Sequence, residues 1–358
     1  VTASATGRVS SGESCAQLAS SLSLEHQVGQ LYMAGIPSTS TTVPADVGAL
    51  LQKGLVGSVI LVGDADSGID GVARLTGRIA AAGSAGQPVI VAADQEGGMV
   101  QRLQGGDFDT IPSALEQGRL PDTTLTGDAT VWGGQMQQAG VLFNLAPVAD
   151  VVPSSLGSAN APIGALRRGF GSDPAVVAEK VTAVVKGFHN AEIATSVKHF
   201  PNLGEVTGNT DTRANVVDTV TDADSPALAA FRAGIAAGTQ SVMVSNAVYQ
   251  RIDPDQPATF SEAVISLLRD DLAFSGVIVS DDLGDAAAVS AVPSAQRGLA
   301  FLAAGGDLAV VVDGSRVDDM VTATLAKARA DEDFASQVTA KAARVLKLKA
   351  SVGLVTCS

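Results

Sequence analysis

Thiols are nearly missing from this chain: Cys15 and Cys357 stand at opposite ends and the whole interior has none. That excludes a cysteine-rich metal cluster. It leaves either two separate surface thiols or one bridge stapling the termini together. A bridge is the preferred reading, and its persistence would place the protein in an extracytoplasmic, oxidising compartment. Histidine is almost as scarce, with only His26, His189 and His199. No pair of them has the spacing of a metal site on a helix, so no metal and no cofactor are expected. Cations are also short, 23 Lys and Arg against 37 Asp and Glu, for a net charge of -14. Nucleic acid and anionic membrane surfaces both need clustered positive charge, and neither is an expected partner. No apolar run approaches the roughly 18 residues of a membrane span. The Gly-x-Ser-x-Gly elbow of a serine hydrolase, the phosphate-gripping loop and the dinucleotide fingerprint are missing too.

What is present is apolar: 46% of the 358 residues are hydrophobic and only 17% are charged, enough for a large core. Eight β-rich segments recur, over 30–36, 57–62, 88–93, 142–147, 195–200, 241–245, 276–280 and 307–312. Most are continuous apolar runs, the pattern of strands buried on both faces of a parallel sheet. Helix-length amphipathic stretches separate them, among them 173–190, 225–237, 261–272 and 294–304, and a final helix is expected over 331–349. Ser172-Asp173-Pro174 and Ser261-Glu262 are helix-start signals. No Pro/Gly-rich linker divides the chain. The rhythm predicts an α/β fold, a single (β/α)8 TIM-type barrel over 21–358 behind an exposed arm over 1–20, with an open doubly wound sheet as the alternative. A monomer is expected.

In such a barrel the chemistry sits where strands end and βα loops begin. The polar residues immediately after the apolar runs are Asp94, Glu96 and Arg102 (third run), Asp150 (fourth), Lys198 and His199 (fifth), Asn246 (sixth), and Asp281 and Asp282 (seventh). Any one of them alone reads as a loop cap or surface ion pair; together they converge on one mouth. His26 and His189 lie in helical stretches, which leaves His199 as the histidine placed for chemistry. Lys198 is costly to bury unpaired, so it must meet a carboxylate or substrate hydroxyls.

Five segments carry a resemblance: Asp94-Gln95-Glu96-Gly97-Gly98-Met99-Val100-Gln101-Arg102, Leu145-Ala146-Pro147-Val148-Ala149-Asp150-Val151, Arg168-Gly169-Phe170-Gly171-Ser172-Asp173-Pro174, Lys198-His199-Phe200-Pro201 and Gly276-Val277-Ile278-Val279-Ser280-Asp281-Asp282-Leu283. In this order they resemble glycoside hydrolase family 3, in its single-domain β-N-acetylglucosaminidase branch. The resemblance implies a small carbohydrate substrate, a terminal β-linked N-acetylglucosamine from peptidoglycan fragments or chito-oligosaccharides. It implies Asp281 as the catalytic nucleophile with Asp282 as a structural neighbour. Asp94, Arg102, Arg168, Lys198 and His199 fall on positions that hold the hydroxyl and N-acetyl groups of the sugar.

The chain departs from that pattern in the loop after the fifth strand. There the family branch carries Asp-Ser-His, whose histidine is the general acid/base. Counted from Lys198 without gaps, Asn209-Thr210-Asp211 occupies that place, so Asp211 stands where the histidine would be. A carboxyl group can do the task if it is desolvated beside the anionic Asp281. Glu205 is the second candidate. A phosphorylase and a catalytically silent sugar-binding barrel stay open as alternatives. The glycines between 204 and 209 suit a loop that closes over the sugar.

Overall fold

The computed structural model describes residues 14–358. Eight parallel strands form one sheet: β1 (Tyr32–Pro37), β2 (Ser58–Val62), β3 (Ile90–Ala93), β4 (Phe143–Asn144), β5 (Ala194–Phe200), β6 (Ser241–Val244), β7 (Val277–Ser280) and β8 (Ala309–Val311). Each pairs with its neighbour in chain order, and β8 returns to β1 in the register Tyr32 to Ala309. The ring closes between β7 and β8 through a parallel bridge at Val279 and Leu308, backed by Ser280 N donating to Leu308 O (3.1 Å) and Leu283 N to Val310 O (2.9 Å). The fold is therefore the (β/α)8 barrel, and the open-sheet alternative falls. All eight expected strands are present; β4 is the shortest, and backbone bonding to β5 continues beyond it, with Lys198 N donating to Pro147 O (3.1 Å) and Ala149 N to Lys198 O (2.6 Å).

A helix or helical turn follows every strand, so the sheet is buried on both faces, as its apolar runs require. The helix Pro174–Asn190 starts as the sequence implies: Asp173 caps it by accepting from Ala175 N, with Pro174 in the first turn. Such a cap is worth about 1 kcal/mol. Ser261 likewise accepts from Val264 N. Two helices differ from expectation. The one expected from 225 begins at Leu228, after a turn in which Ser225 bonds to Asp222. The one expected over 261–272 is α-helical only over Glu262–Ser266 and continues as a π turn over Leu267–Asp271, where Arg269 reaches out to the carbonyls of Phe274 and Gly276.

The expected arm over 1–20 lies outside the described residues up to 13. From Cys15 to Ser21 the chain is a helix packed on the final helix, Glu332–Ser351. Cys15 and Cys357 are disulfide-bonded with Cα atoms 4.9 Å apart, which ties the helix Cys15–Ser21 to the segment after the final helix. No helix among the described residues is long and apolar enough to cross a membrane.

Candidate active site

Residues alternate in and out along a strand, and at the mouth that places Ile60 and Val62 of β2, Met243 of β6 and Val310 of β8 on the inside. They line the apolar part of a cavity of about 410 Å³, within the range of small-molecule sites. Every site residue expected from sequence lines this cavity: Asp94, Arg102, Arg168, Lys198, His199, Asp211 and Asp281. Glu205 does not.

The polar wall is built around Lys198 at the end of β5. Its Nζ lies 2.6 Å from Asp94 and 2.6 Å from Glu96, and its side chain is almost wholly buried. Burial alone would drive a lysine toward its neutral form, but the two carboxylates outweigh it and hold the ammonium charged. Glu96 in turn receives both arms of the Arg168 guanidinium at 2.8 Å. Burial disfavours its anion, yet the charges of Arg168 and Lys198 prevail and hold it well below the usual carboxylate range. Two cations and two anions thus form one neutral, buried lattice, with Asp94 at its edge facing the cavity. Arg102 stands on the rim, paired at 2.6 Å with the exposed Asp64.

His199 is oriented from behind. Asp150, fully buried, accepts from His199 Nδ1 (2.7 Å), from the His199 amide (3.2 Å) and from Leu203 N (2.6 Å). That leaves Nε2 toward the cavity, 3.5 Å from Arg168. Glu96 and Asp150 were visible in the sequence as strand-end carboxylates but received no role there; neither lines the cavity, and each fixes a residue that does. The signal that could have found them is the buried cation or histidine beside them, which demands an acidic partner. Asn246 is also a support: it donates to Asp282 O (2.8 Å) and accepts from Thr259 (2.7 Å).

Asp281 follows β7. Among the described residues it makes no ion pair, and its one side-chain bond is from Asp282 N (2.8 Å). Its proton affinity is pushed up to about 6, first by burial and then by the negative charge of Asp211, against the pull of His199 and that amide bond. The two carboxylates therefore feel each other across one cavity. Asp211 is exposed at the rim, in an Asx turn where its amide donates to Asn209.

The loop carrying Asp211 corrects one expectation. Its first part is pinned rather than free: Asn160 donates to the carbonyls of Leu203, Gly204 and Val206 at 2.7–3.1 Å, and Tyr249 to that of Asn202. Gly204 is required by close approach, since a Cβ there would run into the carbonyl of Val151.

The sequence profile of the glycosyl hydrolase family 3 N-terminal domain matches residues 23–348. The chain belongs to this family. It is 34% identical over 307 residues to a β-hexosaminidase of Stenotrophomonas maltophilia, covering 82% of this chain and 86% of that protein. Among solved structures it is similar to a β-N-acetylhexosaminidase from Beutenbergia cavernae, with 45% identity, a TM-score of 0.89 and coverage of 92% of this chain and 99% of the other. It is also similar to NagZ from Neisseria gonorrhoeae in complex with N-trifluoroacetyl-D-glucosamine, at 25% identity and a TM-score of 0.70, covering 91% and 98%. A family 3 glycoside hydrolase acts on a carbohydrate, and the cavity is lined by charged hydrogen-bonding groups and by carboxylates.

Proposed function

We propose that this family 3 enzyme is an exo-acting, retaining β-N-acetylglucosaminidase. The observation that carries the reading is a pair of carboxylates, Asp281 and Asp211, facing one cavity in which Asp94, Lys198 and Arg168 belong to a neutral lattice with Glu96. Asp281, which makes no ion pair among the described residues, is the nucleophile that attacks the anomeric carbon. Asp211 protonates the leaving oxygen and then takes a proton from the water that releases the glycosyl-enzyme. Asp94, Lys198, Arg168 and His199 bind the hydroxyl and N-acetyl groups, with Arg102 at the rim.

Asp282 and Asp285 line the same side as the pair, so the reaction centre repels a phosphate dianion and favours water as the acceptor. The relatives named for hexosaminidase activity, and the N-acylglucosamine bound in one of them, support the choice of sugar. Terminal N-acetylglucosamine on peptidoglycan fragments or chito-oligosaccharides, met outside the cytoplasm where a disulfide persists, is the substrate we assign. Asp281→Ala tests the reading with a chromogenic N-acetyl-β-glucosaminide: turnover should fall by about 10⁴-fold or more with the fold intact. Retained turnover would refute it.

A further inference from the structure

Two adjacent carboxylates after β7 have opposite surroundings. Asp281 accepts one hydrogen bond, whereas Asp282 accepts four: Gly284 N and Val312 N on Oδ1 (both 2.8 Å), Asp285 N (2.8 Å) and Ala286 N (3.1 Å) on Oδ2. The carbonyls of the same loop meet a cation instead. Arg297, on the helix Ser294–Ala303, is nearly buried and makes no ion pair among the described residues. It donates to Leu283 O (3.0 Å), Gly284 O (2.7 Å) and Val292 O (2.9 Å). One anion thus collects the loop's amides and one cation its carbonyls. The far side of this loop begins a short helical turn, Ala287–Val289, and its two leading amides point at the other catalytic loop: Ala287 N donates to Asp211 O (3.1 Å) and Ala288 N to Thr210 O (3.0 Å).

We infer that Asp282 and Arg297 are positioning residues whose frame, through the amides of Ala287 and Ala288, docks the loop after β5 and fixes Asp211 over the sugar. The inference rests on Asp211 being the acid/base. A backbone tether suits this chain because the first part of that loop is already pinned, so fixing positions 210 and 211 at the other end leaves the acid little freedom. Misplacing a catalytic group by about 1 Å can cost about 10²-fold in rate. The tether through Ala287 and Ala288 therefore acts on leaving-group protonation.

Ala287→Pro deletes one tether with little local strain. Ala287 is the first residue of its turn, a place proline fits, and Ala286 before it is already extended at φ -56, ψ 127. Ala287 does not line the cavity. The assay compares 4-methylphenyl and 2,4-dinitrophenyl N-acetyl-β-glucosaminides; only the first needs an acid to expel its leaving group. Ala287→Pro should lower kcat/KM on the methylphenyl substrate by about tenfold or more, change the dinitrophenyl value by about twofold or less, and add nothing in an Asp211→Ala background. Arg297→Lys, which keeps the charge but loses the fork, should show the same split and serves if the proline variant does not fold. Equal losses on both substrates, or no loss, while Asp211→Ala does discriminate between them, would overturn the inference alone. If Asp211→Ala fails to discriminate, the acid/base reading falls and the inference with it.

Discussion

The two ends of the barrel both bury charge, and they use it differently. At the floor, below the strands' N-terminal ends, Asp307 accepts from Arg269 (2.6 Å), Ile278 N (2.8 Å) and two nitrogens of Arg344 (2.9 and 2.7 Å). Lys349, fully buried in the final helix's last turns, donates to Gln30, Gly57 O and Pro88 O at 2.6–3.0 Å. Every one of these groups is spent on holding elements together. At the mouth, Glu96 and Asp150 are spent in the same way, but they hold Lys198, Arg168 and His199 so that these keep atoms toward the cavity. Asp281 is left almost without partners. Burial by itself does not mark a site; unspent hydrogen-bonding capacity facing a cavity does.

The sharpest way to break this comparison is to delete one carboxylate from each end. Glu96→Ala leaves Arg168 and half of Lys198's field uncompensated, and it should cost about 3–5 kcal/mol of stability and at least about 10²-fold in kcat/KM. Asp307→Ala strands Arg269 and Arg344 and should cost a similar amount of stability, read from denaturant unfolding, while kcat/KM of the folded protein stays within about twofold. Loss of turnover in the Asp307 variant would mean that the floor is coupled to the chemistry.

A smaller effect separates Asp281 from its structural neighbours. Because its carboxyl is raised to about 6 in the folded protein, ionising it opposes folding. Its contribution to stability is full below about pH 4, the unfolded carboxyl's pKa, and is lost as pH rises through about 6. Asp281→Asn should therefore raise stability by about 3 kcal/mol at pH 8 and by almost nothing at pH 4, measured as thermal unfolding at the two values. A destabilised Asn variant at pH 8 would show that Asp281 is a brace like Asp282.

The strands and most helices were legible because buried parallel strands leave continuous apolar runs and caps leave local signatures at Asp173 and Ser261. Of the seven charged cavity residues, Asp94, Arg102, Lys198, His199 and Asp281 were legible as polar groups after apolar runs, Arg168 through the resemblance, and Asp211 by its count from Lys198. The π turn at Leu267–Asp271 was not, since there Arg269 pairs with Asp307, 38 residues on in sequence. The pinning of residues 203–206 was hidden for the same reason: Asn160 is some forty residues upstream, and glycine in a sequence reads equally as freedom or as close approach. Only the resemblance separated Asp281 from Asp282 in the sequence; the physical difference, the number of backbone amides that fold against each, needs the fold.

The central claim is that Asp281 bonds to the sugar. A fluorinated N-acetylglucosaminyl substrate with a good leaving group, which slows release of the glycosyl-enzyme, tests it by mass spectrometry of the digested protein. The account predicts one added sugar per chain, on the peptide containing Asp281; a label on any other residue, or rapid turnover of wild type with none trapped and inversion at the anomeric centre, would contradict it.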